Sequence, residues 1–159
     1  MPRPDPAKTD TTPDLSTALS APRIVIDRVR PSVDDNRFPA KGVVGQGLVV
    51  SADIFSDGHD QLAADLLWTD PVAGTRRLPL RELDNDRWRA IVTPVNCGRH
   101  SFTLEAWLDR WATYQNELRK KHSAGIPVGL EIEEGRRLIA AAAKADSRGK
   151  IPALHALAK

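Results

Sequence analysis

The chain is poor in cysteine, in long apolar runs, in charge imbalance and in catalytic punctuation. Cys97 stands alone among 159 residues, so no internal disulfide and no cysteine-based zinc cluster can form, which suits a reducing compartment. It reads as a partly buried residue at a strand end. No apolar stretch approaches the roughly 20 residues that span a bilayer, and the opening Met1-Pro2-Arg3-Pro4-Asp5-Pro6 has none of a signal peptide's apolar segment. The expected location is cytoplasmic, away from membrane. Basic and acidic residues number 23 and 21, and a net charge of +2 gives no large field to attract nucleic acid. There is no Gly-x-Ser-x-Gly, no His-Glu-x-x-His, no glycine-rich phosphate loop and no pair of carboxylates in a recognisable catalytic frame. We therefore expect no complete active site, no cofactor site and no metal site.

What is present fits one domain with an appendage, since single hydrophobic cores take roughly 100 to 150 residues. Residues 1–21 are rich in Pro, Thr, Ser and Asp and bury too little to offset the entropy of ordering, which predicts a disordered tail. Arg23 to Val29 alternates, with Ile24, Ile26 and the ill-fitting Arg28 on one face and Val25 and Val29 on the other, and Pro31 ends it. Leu48 to Phe55 gives a second strand before the Asp57-Gly58 turn. Leu62, Ala64, Leu66 and Trp68 share one face of a third, and a short strand fits near Arg76 to Leu80. In Arg87 to Thr93, Trp88, Ala90 and Val92 oppose Arg87, Arg89 and Thr93. Phe102, Leu104, Ala106 and Leu108 repeat that pattern. Short strands at this spacing predict an immunoglobulin-like antiparallel β-sandwich over 22–109.

After Asp109 the period lengthens, with Trp111, Tyr114, Leu118 and His122 on one helical stripe until Gly125 and Pro127 interrupt it. A second helix is expected from Val128 to Ala145, acidic early and basic late as the helix dipole prefers, with Ser147-Arg148-Gly149 as its breaker. Ile151 to Lys159 would begin a third and stop in mid-element. The expected class is thus mainly β with an α appendage, the helical hairpin or partial bundle filling 110–159.

Several residues invite functional readings beside plainer ones. Asp53, Asp57 and Asp60 around one turn offer hard oxygen ligands for calcium, but their spacing matches no known calcium loop. The plainer reading makes Asp57-Gly58 the turn, with Asp53 or Asp60 capping backbone N–H groups. His59 has no histidine or cysteine nearby to share a zinc ion. Of the four tryptophans, Trp68 and Trp88 fall in phase with the core, whereas Trp107 lies on the opposite face with Thr103 and Glu105, one helical turn before Trp111. These two would hold the helix against the sheet, or face a partner subunit or a glucan. Asp109-Arg110 and the run Arg119-Lys120-Lys121-His122 offer donors for phosphate, although cations near a helix C-terminus are favoured without any ligand.

Four blocks carry a resemblance: Arg37-Phe38-Pro39-Ala40-Lys41, Asp53 to Asp60, Asn85-Asp86-Arg87-Trp88 and Glu105 to Thr113. In order and approximate spacing they resemble the region ahead of the catalytic barrel in bacterial α-1,4-glucan:maltose-1-phosphate maltosyltransferases, over about Arg23 to Gly135. Trp111 and Tyr114 replace a Phe and a Trp expected there. The resemblance implies an immunoglobulin-like sandwich with a helical insertion, forming a homodimer through the helices and sandwich. It also implies retaining transfer of maltosyl by a nucleophilic Asp and an acid/base Glu that no position of this chain matches. The expectation is a non-catalytic fragment that meets maltose 1-phosphate or α-glucan only within the full enzyme. The alternatives are a free-standing α-glucan-binding module and a purely structural dimerisation unit. Candidate interface or recognition residues are Arg37, Phe38, Lys41, Asp57, His59, Trp107, Asp109, Arg110, Trp111, Leu138 and Ile139.

Overall fold

The computed structural model describes residues 23–146 and 150–158; the expected tail over 1–21 and the Ser147-Arg148-Gly149 breaker lie outside the described residues. Seven strands come first: β1 (Ile24–Arg30), β2 (Leu48–Ser56), β3 (Leu62–Asp70), β4 (Gly74–Pro79), β5 (Arg81–Glu82), β6 (Arg87–Val92) and β7 (Ser101–Leu108). Three helices follow: α1 (Arg110–Ser123), α2 (Gly129–Ala145) and α3 (Pro152–Leu157). The strands form two antiparallel sheets, ordered β1-β2-β6-β5 and β4-β3-β7. No helix among the described residues is long and apolar enough to cross a membrane.

Period-two alternation builds the core. Val50, Ala52 and Ile54 of β2, Ala64, Leu66 and Trp68 of β3, and Trp88, Ala90 and Val92 of β6 all point between the sheets and are buried. The indole N–H of Trp88 donates to the Ile54 carbonyl at 3.2 Å, so its one polar atom is satisfied inside. The short strand expected near Arg76 to Leu80 is β4, and the two-residue β5 follows it unannounced. β4 pairs with β3 in one sheet, buried Leu80 donates its N–H to the Ala64 carbonyl, and the chain then crosses to pair β5 with β6 in the other. Asn85 and Asp86, at φ 58° and 57°, make the return into β6, a left-handed pair that Asn and Asp tolerate well.

β1 departs from simple alternation. Its register with β2 breaks between Asp27 and Arg30, and Arg28 sits at φ 49° as the extra residue of a bulge. The bulge resets the phase: Val29 joins Ile24 and Ile26 against the core instead of siding with Val25, while the Arg28 guanidinium reaches Asp53 at 3.2 Å. Cys97, expected to be partly buried, is exposed in the β6–β7 loop.

A buried polar node ties two loops at one end of the sandwich. The Oδ1 of Asp70 accepts from Val72 N–H at 2.8 Å, Ala73 N–H at 2.9 Å and the Asn96 amide at 2.8 Å. His100 lies 3.7 Å from the other carboxylate oxygen, meets the Asn96 carbonyl at 2.9 Å and packs against Trp68 with ring centroids 5.1 Å apart. Donation from Ala73 and Val72, then from Asn96 and the field of His100, holds the Asp70 carboxyl below the usual aspartate range against the opposing effect of burial. A depressed folded-state pKa gives stability that is present above the ordinary aspartate value and is lost as pH falls through the folded one. Urea denaturation of the native chain should therefore lose stability below about pH 4. Asp70→Asn, weaker at neutral pH, should show a flatter acid limb, and parallel limbs for the two proteins would contradict this role.

Candidate association surface at the sandwich–helix junction

A single residue separates the last strand from the first helix. Asp109, at φ −85° and ψ 91°, is the N-cap of α1, and its Oδ1 accepts from Ala112 N–H at 2.9 Å. Its own N–H donates to the Gln61 carbonyl at 2.7 Å. The Thr113 hydroxyl completes the knot, accepting from Gln61 N–H at 2.8 Å and donating to the Asp109 carbonyl at 2.9 Å. Two hydrogen bonds thus tie the start of β3 to the first turn of α1, and two more fix that turn itself.

α1 ends with Gly125 at φ +70°. Gly125 N–H donates to His122 and Ile126 N–H to Lys121, the paired closure that needs a left-handed residue after the C-cap. α2 then returns along α1 with two contacts as its fixed points. Gly135 is buried beneath the Tyr114 ring, and Lys121 pairs with the buried Glu131. The Lys121 ammonium beside it, with help from the helix backbone, holds the Glu131 carboxyl below its usual range. Glu131 in turn raises the Lys121 ammonium above its own. Between sandwich and helices lies a groove of about 410 Å³, lined by Asp60, Arg110, Tyr114, Glu117, Glu134 and Leu138 among others.

The residues singled out in the sequence do not converge on one site. Arg37 and Phe38 close a small loop in which Val33 bridges Phe38. Arg37 reaches Asp34 at 3.4 Å, Phe38 is exposed at the base of the loop, and Lys41 follows as an exposed side chain. Asp57 pairs with Arg23 at 3.1 Å, and His59 beside it is exposed. The two oxygens of Asp53 are taken by the guanidinium groups of Arg28 and Arg87 rather than by backbone N–H groups. Among the described residues no group of three or more His, Cys, Asp or Glu side chains could hold a metal ion.

Trp107 lies on the outer face of the β4-β3-β7 sheet and is 40% exposed; Trp111 is 44% exposed and stacks, tilted, on Tyr114 at 5.2 Å. Those two tryptophans do not form an aromatic pair with each other. Asp109 is spent on its cap, Arg110 and Leu138 line the groove, and Ile139 is half-buried. On α1 the residue that faces α2 is Lys121 rather than the expected His122, which is exposed. Leu130, 79% exposed, and Ile132, 50% exposed, flank Glu131 and leave the start of α2 apolar outside. The Lys121–Glu131 pair and the Asp70 node were missed because a buried carboxylate reads as a surface charge until its partner is known.

The Gly135 contact yields a sign reversal. Gly→Ala inside an exposed helix usually stabilises by about 1 kcal/mol, but a Cβ at Gly135 would meet the Tyr114 ring, with Cε1 at 3.0 Å and the hydroxyl closer still. Gly135→Ala should therefore lower the thermal midpoint, and in a Tyr114→Ala background it should become neutral or stabilising. Equal effects in both backgrounds would show that the two helices do not meet there.

Residues 22–159 match the profile described as α-1,4-glucan:maltose-1-phosphate maltosyltransferase, domain N/S. Proteins named α-1,4-glucan:maltose-1-phosphate maltosyltransferase are 45% identical over 131 residues in Burkholderia pseudomallei, covering 82% of this chain and 12% of that protein. In Pseudomonas aeruginosa the identity is 43% over 126 residues, covering 79% and 19%. In Rhodospirillum rubrum it is 40% over 150 residues, covering 86% and 22%. The chain thus spans between 12% and 22% of the length of these relatives. On the match to residues 22–159, the chain belongs to the family of the N/S domain of α-1,4-glucan:maltose-1-phosphate maltosyltransferases.

Proposed function

We propose that this chain is the non-catalytic scaffold of a maltosyltransferase that moves maltosyl from α-maltose 1-phosphate to α-1,4-glucan, and that its helical part makes a homodimer contact. The relatives carry that activity in their names and are several times longer, so the retaining carboxylate pair is assigned to the remainder of such proteins. The sandwich is read as immunoglobulin-like because β1-β2-β6-β5 opposite β4-β3-β7 follows the A-B-E-D and C′-C-F arrangement of that fold.

The observation that carries the dimer reading is the apolar outside of the helical part. Trp111, Leu130 and Ile132 are exposed on the helices and Ile126 in the turn between them, on a hairpin pinned at the Tyr114–Gly135 and Lys121–Glu131 points. Exposed apolar surface of this kind marks association sites, and a two-fold contact would bury the same residues from both copies. Leu130 and Ile132 replace Leu138 and Ile139 as the leading contact residues, since the latter pair is half-buried.

Sedimentation equilibrium of the chain should show concentration-dependent dimerisation. Leu130→Asp with Ile132→Asp should shift it to monomer while leaving the β-type circular dichroism intact. A monomer at every concentration would overturn the dimer reading. The α-glucan-binding alternative would be favoured instead by maltoheptaose quenching of tryptophan fluorescence that disappears in Trp107→Ala.

A further inference from the structure

The outer face of the β1-β2-β6-β5 sheet is built as successive rungs across three strands. Because Val50, Ala52 and Ile54 point inward, Ser51 and Asp53 point outward, about 7 Å apart along β2. At the Asp53 rung the register partner on β1 is Asp27, and two guanidinium groups, Arg28 of the bulge at 3.2 Å and Arg87 of β6 at 3.5 Å, converge on the Asp53 carboxylate. At the next rung Arg30 pairs in register with Ser51, and Ser51 with Arg89. Here both register partners are cations, and a half-buried hydroxyl stands where the neighbouring rung has its carboxylate. Beyond Arg89 the register places Arg81 directly opposite, a like-charged cross-strand pair that is unfavourable without an anion between. Among the described residues none of Arg30, Arg81 and Arg89 has a carboxylate within ion-pair distance.

We propose that the Ser51 rung is a binding site for the phosphate dianion of a small phosphomonoester, held by Arg30 and Arg89 with Ser51 as the hydroxyl donor beneath it. Planar guanidinium groups grip phosphate oxygens in bidentate, charge-assisted pairs, and a dianion neutralises the rung as Asp53 neutralises its neighbour. Arg81 adds a further positive charge on the β5 side. Next to Arg89 a depression of about 670 Å³ is lined also by Glu82, Leu83, Asp84 and Arg87. Asp84 at its edge would accept hydrogen bonds from a neutral hydroxylated body and would repel a second phosphate, which selects a monoester over a polyanion. The face is open, so binding is of modest strength and falls with salt.

Amide and arginine side-chain NMR signals of the chain, titrated at low ionic strength with inorganic phosphate and with glycerol 3-phosphate, test the site. Both probes should shift Ser51, Arg30 and Arg89, and the tighter of the two identifies the source as free phosphate or monoester. Arg89→Gln and Arg30→Gln should each weaken binding at least about tenfold, equivalent to about 1.4 kcal/mol. Ser51→Asp should abolish it by placing a fixed carboxylate in the rung, while Arg99→Gln in the β6–β7 loop should leave it unchanged. Unaltered circular dichroism in all four variants would show that the loss is of the site and not of the fold. Equal shifts with chloride at matched ionic strength, or titrations unaffected by Arg89→Gln and Ser51→Asp, would overturn the proposal.

Discussion

The placement of everything after residue 109 depends on one cap. A strand that feeds a helix through a single residue leaves the helix direction to that residue's dihedral angles and to whatever holds its first turn. Here Asp109 supplies the side-chain acceptor, while Thr113 and Gln61 fasten the same turn to the start of β3. An N-cap aspartate contributes about 0.5 to 2 kcal/mol by itself. In this position it also sets how the helical part projects from the sandwich, so a local hydrogen bond governs a long-range arrangement.

The two halves are stabilised differently. The sandwich has a continuous apolar core centred on β2, β3 and β6, closed at one end by the Asp70 node. The helical hairpin has no such core, only a tyrosine on a glycine, an ion pair and a few half-buried side chains. Its stability is consequently the lower of the two, and its outer apolar residues have no intramolecular cover. That division fits a scaffold in which the sandwich is the rigid base and the helices are the surface offered to another chain. The outer sheet face is different again, with arginines disposed around Asp53 in one rung and around Ser51 in the next.

Much of the sandwich was legible because both its faces obey period two. Trp68, Trp88, Ala90 and Val92 could be assigned to the core, and Trp107 to the outside, from phase alone. The helices were legible from the change of period at Asp109 and the stop at Gly125. The failures have local causes. Arg28 and Val29 were misplaced because a bulge shifts phase without any residue that announces it. β5 was missed because its two residues, Arg81 and Glu82, are too few to show a period after the chain changes sheet at Leu80. The His122 stripe was off by one residue, since Lys121 turns inward only to meet Glu131, an attraction that helical periodicity does not encode. Of the candidate recognition residues, Arg110 and Leu138 come together in the groove, while Arg37, Phe38 and His59 lie in exposed loops.

The central claim is that the Asp109 junction makes sandwich and helices a single oriented body. Residual dipolar couplings measured on the weakly aligned chain test it most directly, because they report the relative orientation of every N–H vector. One alignment tensor should fit residues 23–108 and 110–145 together, and Asp109→Ala combined with Thr113→Ala should split it into two. Two tensors of different magnitude in the unsubstituted chain would contradict the account, since the helices would then be tethered rather than held.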